Sequence, residues 1–181
     1  MRLVINLTLT AAILGTVVVA YAAADEPKGD PIFNAQTGFA KLKTLSGRWV
    51  SRPDGTEDSG DYSVVTFKVA ANGSAVIATF YEGTPTEMIS VFHLDGDDAL
   101  VHTHYCALGN QPTMRFTPST NPGELKFLFV GGTNMDPEID VHVHNTTLRF
   151  LDGGEIENEV ETYAEGKIDS TLKFRLVRSD Q

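Results

Sequence analysis

Hydrophobic and polar residues alternate in short runs along most of the chain after Trp49. A period of two is typical of β-strands that bury one face. The runs are separated by segments rich in glycine, proline, asparagine and aspartate, which are turn-forming residues. In chain order these segments are ANGS, EGTP, LDGDD, TNPGE, LDGGE and AEGK. The pattern predicts an all-β domain whose successive strands are joined as antiparallel hairpins.

A meander of this length favours a closed barrel. About eight to ten strands follow Trp49, and closing such a sheet removes its exposed edges. Before Trp49, Phe39, Leu42 and Leu45 recur at helical spacing. We therefore expect an antiparallel up-and-down β-barrel with a short N-terminal helix, and we find no sign of a second domain or a repeat.

The Asn72-Gly73 turn sets the first strand register, because both residues tolerate positive φ. The turn pairs Ala71 with Ser74, which predicts an apolar inward face made of Val65, Phe67, Val69, Val76, Ala78 and Phe80. Carried through EGTP, the register aligns His102 with Val91 and His104 with Ile89. The inward face then also includes Ile89, Val91, His93, Leu100, His102, His104 and Cys106. A one-residue slip in EGTP would reverse the later assignments.

An alternating acidic stripe sets a second register. Residues 157, 159 and 161 are glutamates separated by other residues, so they are expected to face water. A three-residue glycine loop before them pairs Val160 with Thr146. This register predicts an inward face made of His142, His144, Leu148 and Phe150, with Leu172, Phe174 and Leu176 from the last strand.

The first residues have the features of a secretory signal peptide. Arg2 precedes an apolar run over 3–20, and Ala22-Ala23-Ala24 provides small residues for cleavage. We expect a signal peptide at 1–24, a polar leader at 25–37 and the barrel domain at 38–181. The protein is then secreted or periplasmic.

Composition restricts the partners. The 24 acidic and 14 basic residues give a formal charge of −10, which repels nucleic acid and anionic lipid. We expect no nucleic-acid partner and no stable membrane insertion after signal removal. The single cysteine, Cys106, excludes an internal disulfide, and nothing in the sequence indicates the oligomeric state.

Four of the five histidines form two H-x-H pairs, in HTHYCALGNQP at 102–112 and in HVH at 142–144. If both pairs face one lumen, His102, His104, His142 and His144 could bind zinc or copper, with Cys106 as a further ligand. Heme ligation is a second interpretation. The third is a polar cluster that orients a ligand, since buried neutral histidines often bond only carbonyls and water. No bound cofactor is the default expectation.

Other polar motifs have simpler interpretations. Cys106 near His104 could be an activated thiol, but alternate positions on one strand hold side chains parallel, which favours an inert cysteine. Asn110-Gln111-Pro112 is either a rigid turn or a rim that contacts ligand. The aspartates at 95, 97 and 98 indicate a solvated turn, because the spaced loop of a calcium site is missing.

The segment around Gly47-Arg48-Trp49, together with the terminal FRLVR, resembles the lipocalin and fatty-acid-binding (calycin) superfamily. In that superfamily a G-x-W tryptophan closes one barrel end beneath an arginine of the last strand. The resemblance assigns this role to Arg175 or Arg178.

A closer resemblance covers nearly the whole chain after residue 24. FHLDGDDALVHTHYCALGNQP, the second H-x-H and AEGK before FRLVR are similar to exported bacterial proteins with a lipocalin-like domain. The matching motif is His104, Tyr105, Cys106, Gly109, Asn110, Gln111 and Pro112. These proteins usually carry a large aromatic residue near Val160, so the resemblance implies a roomier interior here. It implies fold and export, and no substrate.

We expect an exported barrel that binds a small apolar or amphipathic molecule. The residues predicted to contact it are Trp49, Phe67, Phe80, Val91, His102, His104, Cys106, Asn110, Gln111, Met114, His142 and His144. The alternatives are a metal- or heme-binding protein, a metal-assisted enzyme that uses His104 as base or ligand, and a structural protein with a filled lumen. The enzyme requires at least three of the four histidines to meet at one point.

Overall fold

A computed structural model describes residues 32–51 and 64–179. The predicted signal peptide at 1–24, and the leader up to residue 31, lie outside the described residues. Across the described residues, one α-helix precedes ten strands. They are α1 (Ala35–Lys43), β1 (Gly47–Ser51), β2 (Val64–Ala70), β3 (Ala75–Phe80), β4 (Met88–Asp95), β5 (Ala99–Tyr105), β6 (Gln111–Thr117), β7 (Glu124–Thr133), β8 (His142–Phe150), β9 (Ile156–Ala164) and β10 (Lys167–Arg178).

The strands form a closed antiparallel barrel in chain order. Each strand pairs with the next, and β10 returns to pair with β1, where Trp49 lies opposite Arg178. Closure gives every strand two neighbours, so the barrel has no free edge. The predicted up-and-down barrel is confirmed, and every described hairpin turn that the sequence marks joins two strands.

Helix α1 covers one end of the barrel. It begins with a capping box, in which the Asn34 side chain accepts from the Thr37 backbone and the Thr37 side chain accepts from the Asn34 backbone. Phe39, Leu42 and Leu45 are all buried, as their spacing predicts. The helix passes so close to β7 that a side chain at Gly38 would meet Leu125 at 2.8 Å. These contacts make the helix end of the barrel a dry, filled core.

Trp49 and Arg178 complete this end. The Trp49 indole N–H donates to the Leu45 carbonyl at 2.7 Å, and the Arg178 guanidinium lies 4.6 Å from the centre of the indole ring. The same guanidinium donates to the carbonyls of Ser46 and Thr44, just after the helix. Arg175 instead pairs with Glu155 on the outer surface. Of the two arginines that the resemblance offers, Arg178 therefore takes the closing position.

The first hairpin has the predicted register. Val69 pairs with Val76 and Phe67 with Ala78. The chain reverses through Ala71, Asn72 and Gly73, all with positive φ. The Asn72-Gly73 signal was therefore sufficient to place this face correctly.

The register predicted through EGTP is wrong by one residue. Ala78 pairs with Ser90, so Ser90 and Phe92 are buried, whereas Ile89, Val91 and His93 belong to the opposite face. The loop between the strands starts with Tyr81 at positive φ, which the sequence did not indicate. A loop of this kind sets its own register, and a slip of one residue exchanges the two faces.

A second slip of one residue cancels the first. Asp95 pairs with Ala99 around a turn with Gly96 in the left-handed region, so His104 lies opposite Ser90 instead of Ile89. The two histidines of β5 therefore do point inward. They are 4% and 6% exposed, whereas Tyr105 is 50% exposed. The inward orientation of His102 and His104 was therefore predicted correctly, although the predicted pairing was wrong by one residue at EGTP and again at LDGDD.

The register of β8 and β9 is confirmed only in part. Thr146 pairs with Val160 as predicted, but the pairing shifts between Val143 and Asn145. Such a β-bulge inserts one extra residue and redirects the side chains beyond it. Val143 consequently lies opposite Thr162. The strict alternation that placed His142 and His144 on the face of Leu148 therefore does not extend through this part of the strand, although His142 is buried.

We expect Arg178→Ala to lower the free energy of unfolding by about 1–2 kcal/mol, because two carbonyls and the indole face lose a cationic partner. Arg175→Ala is the matched control on the same strand. It should cost no more than about 0.5 kcal/mol, since its ion pair is exposed. Urea unfolding of the three proteins checks this. Equal losses in both variants would contradict the closing role of Arg178.

Candidate functional site

A cavity of about 220 Å³ lies inside the barrel, towards the end opposite α1. Its wall is mostly apolar and is supplied by strands on all sides. It is lined by Val64, Val65, Phe80, Tyr81, Met88, Ser90, His102, His104, Cys106, Val143, Thr146, Asn158, Val160, Thr162, Leu172, Phe174 and Leu176. Leu172 is 48% exposed, so this wall continues to the protein surface. Among the described lining residues none is Asp, Glu, Lys or Arg.

The polar part of the wall is a chain of hydrogen bonds around Ser90. Its hydroxyl lies 2.9 Å from His102 Nε2 and 3.0 Å from His104 Nδ1. The other nitrogen of His102, Nδ1, lies 3.2 Å from the Thr146 hydroxyl. Residues of β4, β5 and β8 thus form one connected network. Phe92 stacks on the His102 ring at 4.3 Å between centroids and fixes its orientation.

Both imidazoles of this network are neutral at pH 7. Burial lowers the pKa of His102 well below its usual value, and the nearby His104 lowers it further. Burial also lowers the pKa of His104, to about 4. A neutral imidazole has one N–H donor and one bare acceptor nitrogen. The network therefore contributes polarity to the cavity without contributing charge.

One atom of the network is left without a partner. His104 Nε2 is buried and has no hydrogen bond to any residue within 32–51 or 64–179. Buried polar atoms are nearly always paired with protein or water, and this one belongs to a residue of the cavity wall. His104 thus lines the cavity as a residue, while its Nε2 is buried and unpaired among the described residues.

Four of the predicted contact residues line the cavity: Phe80, His102, His104 and Cys106. Three others, Trp49, Phe67 and Met114, are buried in the hydrophobic core instead. Val91 is on the opposite face of β4, for the register reason given above. Val91 and the three core residues therefore belong to the barrel framework.

Asn110 and Gln111 form a structural turn outside the cavity wall. The Asn110 amide donates to the Val141 carbonyl at 2.9 Å, which ties this turn to the chain before β8. The Gln111 amide donates to the Gly109 carbonyl and its oxygen accepts from Thr133. Of the two interpretations of this motif, the structure supports the rigid turn.

His142 and His144 form a separate aromatic cluster. His142 Nδ1 lies 2.8 Å from the Asp140 carbonyl, and its Nε2 lies 3.0 Å from His144 Nδ1. The His144 ring stacks on Tyr163, with 3.5 Å between centroids, and on Phe129. Burial and the neighbouring His142 lower the pKa of His144, while Glu161 opposes the shift. From this segment only Val143 lines the cavity, and the contact role of His142 and His144 stays a prediction.

The four paired histidines do not meet at one point. The first pair lines the cavity, and the second pair is not among its lining residues. Within the described part of the chain, no group of three or more His, Cys, Asp or Glu is arranged to hold a metal. The four-histidine site is therefore not formed, and the convergence that the enzyme interpretation requires is not met.

Sequence reasoning missed Ser90 and Thr146, the two hydroxyls that connect the histidines. Ser90 was assigned to the outer face by the slip in EGTP, and no local signal marks it as special. Thr146 was placed opposite Val160 correctly, but alternation alone does not show which strand lies across the lumen. Val143, Asn158 and Thr162 complete the set of cavity residues that were not predicted as contacts.

The acidic stripe faces outward, as expected, and it is paired with a cation. Arg149 donates to Glu124, Glu157 and Glu159 at 2.7–2.9 Å, and Lys173 lies 2.9 Å from Glu159. Hydrogen bonds from Lys173 and Arg149 lower the pKa of Glu159. The stripe thus belongs to an ion-pair network on the outer surface of β7–β10.

No protein-family model matches the chain, and a search of curated proteins finds no match. Within the described ranges, no helix has the length and apolar character needed to cross a membrane. The function of the candidate site is therefore argued from its own geometry.

The neutral histidines predict a loss of stability in acid. In the unfolded chain His104 titrates near 6.5, and in the folded protein near 4, so between these values the unfolded state binds more protons. The stabilising contribution is complete above pH 6.5 and is lost as the pH falls through about 4. We expect a decrease of about 2–3 kcal/mol from His104 between pH 7 and pH 4.

Urea unfolding across this pH range checks the decrease. His104→Phe removes one of the two buried titrating groups and should reduce the slope, whatever its effect on stability at pH 7, while His102 keeps part of it. Thr103→Val, on the opposite face of the same strand, should keep the slope of the unaltered protein. A slope that is the same in all three proteins would show that His104 is not held neutral by burial.

Proposed function

We propose that this protein is an exported, lipocalin-like barrel that binds a small neutral molecule, apolar or amphipathic, in its lumen. The observation that carries the proposal is the cavity of about 220 Å³, with an apolar wall and one short polar network. Ligand sites commonly combine a mostly apolar lining with a few placed polar groups. A structural protein with a filled lumen would not leave this space.

The size of the cavity favours a ligand of one or two rings, or an equivalent aliphatic molecule. A dry protein cavity of about 150 Å³ accepts benzene, and pockets for drug-sized ligands are about 300–1,000 Å³. The observed 220 Å³ lies between these values. A heme exceeds drug-sized ligands and is not the ligand that this space favours.

The wall also favours a neutral ligand. A charged group loses its hydration on entering an apolar space and needs an opposite charge there. The described lining residues supply none, and the two histidines are held neutral by burial. A fatty-acid carboxylate is therefore a poor candidate, although the fold resembles that of fatty-acid carriers.

Filling the cavity should abolish binding. Val160 lies opposite Thr146 and lines the cavity, so Val160→Phe adds a ring where the ligand would lie. We expect at least about tenfold weaker binding of toluene and indene, because over-packed space cannot hold both rings. Native mass spectrometry and ligand-dependent melting of the purified protein measure this.

Leu108→Phe is the control, since Leu108 is 65% exposed and outside the cavity wall. It should bind both hydrocarbons as the unaltered protein does. If the unaltered protein shows no retained molecule and no melting shift across a panel of neutral one- and two-ring compounds, the binding proposal fails. Unchanged affinity in Val160→Phe would move the site out of the lumen.

Export is the second part of the proposal. It is supported by the apolar run over 3–20 and the alanines before Asp25. Expression of the full chain in a Gram-negative host should yield a mature periplasmic protein that begins near Asp25. N-terminal sequencing and intact mass check this, and recovery of only the full-length chain in the cytoplasm would contradict it.

A further inference from the structure

Among the described residues that line the cavity, Asn158 of β9 is the only one with a carboxamide side chain. Its neighbours along the strand, Glu157 and Glu159, belong to the outer ion-pair network, so alternation directs Asn158 inward. It pairs with Leu148 of β8 on one side and with Phe174 of β10 on the other. Both neighbours are apolar, so neither adjacent strand offers a side-chain partner to the amide at this position.

The Asn158 amide is accessible and unpaired. The residue is partly exposed although it faces inward and lines the cavity. Within residues 32–51 and 64–179 its side chain makes no hydrogen bond, and neither amide atom is among the buried atoms that lack a partner. An inward-facing group that is neither paired nor buried is open to the cavity. In this respect it differs from His104 Nε2, which is buried.

The hydroxyls of the wall, by contrast, already have protein partners. Ser90 bonds to both histidines of β5, and Thr146 bonds to His102. The hydroxyls of Thr162 and Ser170 lie 2.7 Å apart. A carboxamide has two N–H donors and an oxygen with two lone pairs. Asn158 therefore brings an unused donor and an unused acceptor together in the wall.

A molecule that fills the cavity displaces water from this amide. A polar group that loses its water without gaining another partner costs free energy, because its hydration is not replaced. Only a ligand that pairs with both the N–H and the oxygen of Asn158 avoids this cost on both sides. The apolar wall around the amide makes the requirement stricter, since it supplies no alternative partner there.

We propose that the lumen selects a neutral apolar molecule in which a C=O and an N–H lie side by side, as in a lactam, and that this pair of groups binds the Asn158 amide. The inference rests on the proposed binding function and adds the class of ligand. The Asn158 N–H donates to the ligand carbonyl, and the Asn158 oxygen accepts from the ligand N–H. A ketone uses only the first of these bonds, and a hydrocarbon uses neither.

Three bicyclic probes of similar shape test this rule. Oxindole has an N–H beside its C=O, 2-indanone has the C=O alone at the same place, and indene has no polar atom. Calorimetric titration at pH 7 gives the Kd of each probe for the unaltered protein and for Asn158→Leu. The preference for oxindole is the Kd of indene divided by that of oxindole, and comparing the preference between two proteins cancels the hydration of the probes themselves.

The preference for oxindole should be about 10- to 30-fold greater in the unaltered protein than in Asn158→Leu, as two net hydrogen bonds imply. The corresponding change for 2-indanone should be about fivefold, because it makes one bond. Leucine at position 158 should bind indene more tightly and oxindole more weakly. Asn121→Leu is the matched control, since Asn121 is exposed and outside the cavity wall, and it should keep the full preference.

A preference that changes by less than twofold in Asn158→Leu, or equal changes for oxindole and 2-indanone, would overturn the lactam rule and leave the binding function in place. Binding of indene alone would have the same meaning. Failure of all three probes to bind the unaltered protein would overturn both proposals.

The side-chain ¹H–¹⁵N signals of Asn158 in the unaltered protein keep the test independent of how the variant folds. Oxindole should move one of the two amide proton signals downfield, because that N–H donates to the ligand carbonyl. Indene should cause no such downfield movement. Unmoved Asn158 signals in protein saturated with oxindole would overturn the proposal.

Discussion

The hydroxyl of Ser90 has to serve two buried imidazoles with a single hydrogen, and this constraint organises the lumen. His102 and His104 lie on one face of β5, each within hydrogen-bond distance of the same oxygen. Burial keeps both rings neutral, so each ring has one N–H donor and one bare acceptor nitrogen. The hydrogen bond that one ring makes with Ser90 therefore limits the bond that the other can make. Because the hydroxyl has one hydrogen, the state of one ring determines the state of the other. The network ends at His104 Nε2, which is buried without a partner among the described residues.

The two ends of the barrel have different physical character. At the helix end, Trp49, Arg178 and α1 fill the space with close contacts. At the other end the lumen widens into the cavity, and its wall continues to the exposed Leu172. The helix end is therefore closely packed, whereas the other end keeps open space inside the barrel.

The sequence was most informative where local chemistry fixes geometry. Asn72-Gly73 determined one hairpin, and the helical spacing of Phe39 and Leu42 determined the helix. It failed where geometry depends on the path of a loop or on an irregular residue. The loop that starts with Tyr81 at positive φ shifted one register, and the bulge in β8 interrupted the alternation around His144. Neither feature has a signal in the alternation of polar and apolar residues.

Of the site, the sequence predicted the two histidines of β5, Phe80 and Cys106. The alternation of the histidines on β5 made an inward pair plausible, but their inward orientation resulted from two errors that cancelled. The partners that give them chemistry, Ser90 and Thr146, come from strands that are adjacent to β5 or across the lumen. Contacts of that kind form only when the barrel closes. The residues of a single strand do not show which other strand will lie across the lumen from it. A polar network is thus harder to predict than the residue types that form it.

The most direct measurement is the position of the hydrogens on His102 and His104, by long-range ¹H–¹⁵N correlation NMR of the protein at pH 7 without ligand. The account predicts two neutral rings that carry their hydrogens on the same atom, both on Nδ1 or both on Nε2, because Ser90 gives its one hydrogen to one ring and accepts from the other. A positively charged ring, or hydrogen on Nδ1 of one ring and Nε2 of the other, would contradict it.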